Sequence, residues 1–154
     1  MNDESYYKCL DILDRINEEA MTKFGSGYAF SKALGRDKSF WNVRYSAVTF
    51  PRLKNILTYA QVLDVSVEYL LTGKHRDKYK PCEIDYQNVY NEYKKHKIPV
   101  NMCYKLAPIM FKVKRGSGLN LGTLIELSDM FKIPVYQLGF KNPSGSSKTE
   151  GQEF

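Results

Sequence analysis

Three cysteines and two histidines are the residues of this 154-residue chain with most capacity for metal or nucleophilic chemistry, and their spacing argues against both. Cys9, Cys82 and Cys103 form no CxxC pair, and neither His75 nor His96 stands at ligand spacing from one of them. Cys9 and Cys103 fall in apolar-periodic stretches and read as small buried hydrophobes. No Ser/His/Asp or Cys/His arrangement is suggested, both histidines lie in Lys-rich polar stretches, and the carboxylates show no pairing signal. The glycine-rich FGSG at 24–27 and RGSG at 115–118 do not run on into GK[ST], and Gly73-Lys74 lacks the loop that would cradle a phosphate. The expectation is a non-enzymatic protein with no cofactor and no metal.

Basic side chains carry the remaining chemistry. Lys23, Lys32, Arg36, Lys38, Arg44, Arg52 and Lys54 face a single acid, Asp37, between residues 23 and 54. Lys94, Lys95, Lys97, Lys105, Lys112, Lys114 and Arg115 face none between 94 and 118. The formal net charge is only +6, so the rest of the chain is acidic. Uniform solubilising charge would not concentrate in this way, and two anion-facing surfaces are expected.

Something must position those surfaces. With 43% apolar residues and 12 Tyr, 8 Phe and 1 Trp, the chain can bury one medium core or two small ones, which excludes disorder throughout. No apolar run reaches the roughly 18 residues of a membrane span, and the start is acidic where a signal peptide would be basic. A cytoplasmic protein without membrane contact is expected.

Residues 51–70 and 119–138 align without gaps at an offset of 68. Leu53 pairs with Leu121, Ile56 with Leu124, Leu63 with Phe131, Val65 with Ile133, Val67 with Val135 and Leu70 with Leu138. The apolar rhythm, more than identity, argues for an internal duplication of an all-α unit.

The periodicity of each copy is helical. Tyr6, Cys9, Leu10, Leu13, Ile16 and Ala20 form the apolar stripe of a first helix, closed by Gly25 and Gly27. Ser26 caps a second helix through Leu34, stopped at Gly35. Asp37 is the expected N-cap of a third over Lys38 to Ser46, Pro51 precedes a fourth running to about Leu63, and Ser66 caps a fifth over Val67 to Leu71. In the second copy, Tyr86, Val89, Tyr90 and Tyr93 mark the first helix and Val100 to Leu106 the second. Pro108 predicts a tight turn into a third ending at Gly116. Leu121 to Phe131 and Val135 to Leu138 complete the set. The expected organisation is a first unit over 1–74, a linker over 75–85, a second unit over 86–140 and a disordered Ser/Gly/Pro tail over 141–154.

The stretch FSKALGRDKSFWNVRY from Phe30 resembles the second helix, glycine turn and recognition helix of the phage repressor and Cro-type helix-turn-helix proteins, also called the xenobiotic-response-element family. PRLKNILTYAQVLDVSVEYLLTG, Pro51 to Gly73, is similar to that family's closing segment. The likeness is close over about residues 5–74 and weaker over 86–140. It implies two tandem five-helix helix-turn-helix units and a transcriptional regulator that binds double-stranded DNA sequence-specifically, the first unit reading the major groove and the second assisting.

Carried over by position, the resemblance puts Lys38, Ser39, Asn42 and Arg44 on or beside the groove-facing side of the third helix, with Gly27, Tyr28 and Ser46 near phosphates. Phe40 and Trp41 fall nearer the core. Tyr45 stands where the family has an acid and Val43 where it has a polar reader. In the second unit only Lys112, Lys114 and Arg115 offer polar contact, which suits phosphate better than adenine edges. Single-unit relatives dimerise to place two recognition helices one DNA turn apart, so a tandem chain makes a homodimer optional. The rival reading is a protein-binding module of a phage or mobile element, an antitoxin or host-defence inhibitor, that reuses the same fold.

Overall fold

A computed structural model of the chain describes residues 3–77 and 83–141, with side chains from Cys9 onward in the first stretch. The expected tail from residue 142, and residues 78–82 of the expected linker with Cys82, lie outside the described residues. Among the described residues the protein is all-α apart from one two-stranded pairing, and the chain divides into two compact units, Met1–Lys80 and Pro81–Phe154. Among the described residues no helix is long and apolar enough to cross a membrane.

The first unit is built on α1 (Asp3–Phe24), which packs against α2 (Gly27–Ala33), α4 (Leu53–Leu63) and α5 (Val67–Thr72), while α2 packs on α3 (Phe40–Ser46). Its core follows the apolar stripe of α1: Cys9, Ile12, Leu13, Ile16 and Ala20 are buried with Phe30, Trp41, Ile56, Tyr59, Leu63 and Leu70. Burial pushes the Cys9 thiol up to about 11, which leaves it a poor nucleophile at neutral pH. The caps agree with the local chemistry. The Ser26 hydroxyl accepts from the Ala29 N–H at 3.0 Å, and the Ser66 hydroxyl from the Tyr69 N–H at 2.9 Å.

Asp37 is not the N-cap of α3. That helix begins at Phe40, and the Asp37 carboxylate instead accepts from the Ser39 hydroxyl at 2.6 Å and the Ser39 N–H at 3.1 Å. A short carboxylate that bonds two residues ahead closes a local turn in competition with the helix, which delays its start.

The second unit comprises α6 (Tyr86–Lys95), α7 (Val100–Val113), α8 (Leu121–Phe131) and α9 (Val135–Gly139), with strands β1 (Glu83–Ile84) and β2 (Phe140–Lys141) paired antiparallel. The expected break at Pro108 is absent. One helix runs through it, so this unit has four helices among the described residues where five were expected. Proline removes one backbone hydrogen bond. Against that loss stand Leu106, Met110 and Val113, buried at steps of four and three on one continuous inner face, and no Gly or Asx between Met102 and Pro108 to end a first helix.

Two further boundaries differ from expectation. His75 and Arg76 are not free linker, since the His75 carbonyl accepts from the Ser66 hydroxyl at 2.7 Å and the Arg76 carbonyl from the Ser66 N–H at 2.7 Å. Glu83 and Ile84, also assigned to the linker, pair with Lys141 and Phe140, which removes Lys141 from the tail.

The offset of 68 is visible in backbone detail. Both α4 and α8 have 11 residues, and both end in a left-handed non-glycine residue, Asp64 at φ 57° and Lys132 at φ 59°. The Val65 N–H bonds the Ala60 carbonyl at 3.0 Å, and the Ile133 N–H the equivalent Ser128 carbonyl at 3.2 Å. Non-glycine residues adopt this conformation rarely, so its recurrence at matching positions shows one helix-to-helix connection built twice.

Candidate nucleic-acid interface

A buried hydroxyl joins α2 to α3. Ser31, fully buried, donates to the Gly27 carbonyl at 2.8 Å and accepts from the Trp41 N–H at 2.9 Å, which ties the first turn of one helix to the first turn of the next. Gly35 supplies the left-handed turn between them at φ 73°. We expect Ser31→Ala to cost about 1–3 kcal/mol, because it orphans a buried backbone N–H. Urea unfolding of the full chain, followed by the fluorescence of Trp41, its only tryptophan, measures this. An unchanged midpoint would mean the link carries no weight.

Trp41 anchors α3 from below. Its ring meets Phe30 at 5.5 Å and Tyr59 at 5.6 Å edge-on, stacks on Tyr45 at 5.7 Å, and its indole N–H donates to Asn17 Oδ1 at 2.9 Å. Tyr45 donates its hydroxyl to Asp14 Oδ1 at 2.7 Å; that bond raises its pKa. Burial pushes the Tyr59 hydroxyl up to about 12. With Trp41 and Tyr45 turned inward, the outer side of α3 is left to Asn42, Val43 and Ser46, and Val43 is 61% exposed.

The predicted residues of the first unit occupy distinct positions. Asn42 and Ser46 are exposed on α3, whereas Lys38 and Ser39, expected on that helix, lie in the turn before Phe40 and are exposed there, with Ser39 held by Asp37. Gly27 is buried beneath Asn42, close enough that a Cβ at 27 would collide with the Asn42 amide. This contact sets the start of α2, with exposed Tyr28, directly beside the outer side of α3. Arg44 does not stand free. Its guanidinium lies over the Phe40 ring at 4.3 Å, with Arg36 over the same ring at 4.9 Å, and its Nε is buried without a hydrogen-bond partner. This Arg36–Phe40–Arg44 platform is not among the sequence-based expectations; the i, i+4 spacing of Phe40 and Arg44 on α3 signals half of it, and Arg36 joins from the turn before the helix.

In the same basic window Lys32, Arg36, Lys38, Arg52 and Lys54 are exposed, and among the described residues none of them is in an ion pair. The sole acid of the window, Asp37, has its pKa lowered chiefly by the Ser39 hydroxyl. Such a surface can present amide and hydroxyl hydrogen-bonding groups within a positive field.

Lys112, Lys114 and Arg115 lie in the second unit, at the C-terminal end of α7, and are exposed. Arg115 lies over the Phe111 ring at 4.5 Å and Lys114 over Tyr90 at 5.7 Å. Because α7 is unbroken, these cations are not presented by a separate helix after a turn. Among the described residues no three His, Cys, Asp or Glu side chains gather as a metal would need. Comparison of the chain with protein-family models, curated proteins and solved structures gives no match.

Proposed function

We propose that the first unit binds double-stranded DNA sequence-specifically, with α3 in the major groove and the start of α2 against the backbone, as part of a transcriptional regulator. The observation that carries this reading is the outer side of α3: a short helix pinned from below by Trp41 offers Asn42 and Ser46 outward, amid exposed cations without ion-pair partners among the described residues. An asparagine on such a helix can bond an adenine edge in bidentate fashion, and a lysine the O6 and N7 of guanine. Cations around it hold the phosphates and set the register. Because no turn presents Lys112, Lys114 and Arg115 on a second reading helix, the reading rests on the first unit alone.

Selection of a preferred site from a randomised duplex pool tests the proposal. Lys38→Ala and Asn42→Ala are each expected to cut discrimination between that site and random duplex by roughly 1–3 kcal/mol. Both residues are exposed, so the fold should persist. Equal weakening on all sequences would place them on phosphates, and failure to enrich any sequence would remove the reading altogether.

A further inference from the structure

The inner face of α7 accounts for Leu106, Met110 and Val113, yet the helix carries a second apolar face turned away from the core. Val100 is 79% exposed, Tyr104 88% and Phe111 59%. Ala107 and Pro108 between them are exposed as well. At about 100° per residue these five positions fall within one stripe of about 100°, and they span about three turns, or roughly 16 Å along the axis. Pro108 also leaves the Tyr104 carbonyl without the helical N–H it would otherwise receive, at the middle of the stripe. Exposed apolar surface this continuous marks contact with another molecule.

The flanks say which kind. Exposed Lys112 lies along one edge beside Lys105, exposed Lys114 lies toward the other, and Arg115 and Lys97 stand near the two ends. The neighbouring acid Glu126 is taken by Lys105 at 2.7 Å. A second copy meeting this face would oppose lysine with lysine, so its occupant should be anionic. Nucleic acid meets that condition but leaves Val100, Ala107 and Pro108 without partners. An amphipathic helix with leucine-like anchors and flanking carboxylates satisfies both the stripe and its edges.

We propose that the outer face of α7 is a docking surface for an acidic amphipathic helix of a partner protein, with Tyr104 and Phe111 as its apolar anchors and Lys112 as a charge contact. This surface is independent of the DNA face of the first unit.

The test uses the full chain and a synthetic helix of about three turns, with leucines at i, i+3, i+4 and i+7 and glutamates on both flanks, followed by fluorescence anisotropy. Binding is expected, with Kd raised at least about tenfold by combined Tyr104→Ser and Phe111→Ser. Both side chains are mostly exposed, so circular dichroism should stay unchanged. Lys112→Glu should weaken the glutamate peptide and strengthen one with lysine flanks. The proposal is overturned if the glutamate peptide does not bind, or if its glutamine counterpart binds as well. It is also overturned if oligothymidylate binds and is lost on the same double substitution, or if sedimentation shows a dimer that the double substitution dissociates.

Discussion

Trp41→Ala should lower the stability of the first unit by about 3–5 kcal/mol, the range for deleting a buried aromatic side chain. Trp41 has no exposed surface and sits where Phe30, Tyr45 and Tyr59 converge, so its removal leaves an aromatic-lined cavity that four helices would have to close. It also strips Asn17 Oδ1 of the indole N–H at 2.9 Å. Trp41→Phe separates the contributions, since it keeps most of the apolar contact and loses the hydrogen bond, at an expected cost of about 1–2 kcal/mol. The midpoint of urea unfolding by circular dichroism reads both, since neither variant retains the indole fluorophore. A loss under about 1 kcal/mol for Trp41→Ala would show that α3 is held chiefly by its backbone link through Ser31 and not by this ring.

The same helix shows how far the sequence could be read. Where an apolar rhythm runs for ten residues or more it located the element closely, as in α8 over Leu121–Phe131 and, with Pro51 marking its approach, α4 over Leu53–Leu63. Elements set by one or two side chains were not legible in this way. An aspartate before an apolar run is as good a cap as it is a turn former, and only the position of the Ser39 hydroxyl decides between them at Asp37. Proline usually ends a helix, but the decision at Pro108 lies with the inner face of α7, which a purely local rule does not weigh. Strands of two residues have no period at all, so the pairing of Glu83 and Ile84 with Lys141 and Phe140 left no mark. At the candidate interface, the exposed positions Lys38, Asn42 and Ser46 could be placed by resemblance. Arg44 could not, because whether an arginine stands in solvent or lies on a ring depends on Phe40 four residues before it.

Affinity for duplex DNA should fall steeply as salt rises. Lys32, Arg36, Arg52 and Lys54 are exposed in the basic window that contains α3, and Asp37, the one acid in that window, is held by Ser39. If these cations neutralise about four phosphates, the logarithm of the binding constant falls with a slope near −3.6 in the logarithm of salt. Between about 50 and 200 mM the affinity then drops by roughly 150-fold. The slope also sorts side chains by what they touch. A cation on a phosphate reduces it by about 1 when replaced by alanine, whereas a neutral reader of a base edge changes affinity and leaves the slope alone. Arg36→Ala is therefore expected to flatten the response, and Asn42→Ala to lower affinity for the selected site at an unchanged slope. Phe40→Leu gives the finer comparison, because loss of the ring frees the two guanidiniums now resting on it without removing either charge. Its slope should match the parent while its affinity falls, since guanidiniums no longer held in place lose side-chain freedom on binding. A response that stays flat across this salt range would mean that the positive face of α3 does not meet DNA.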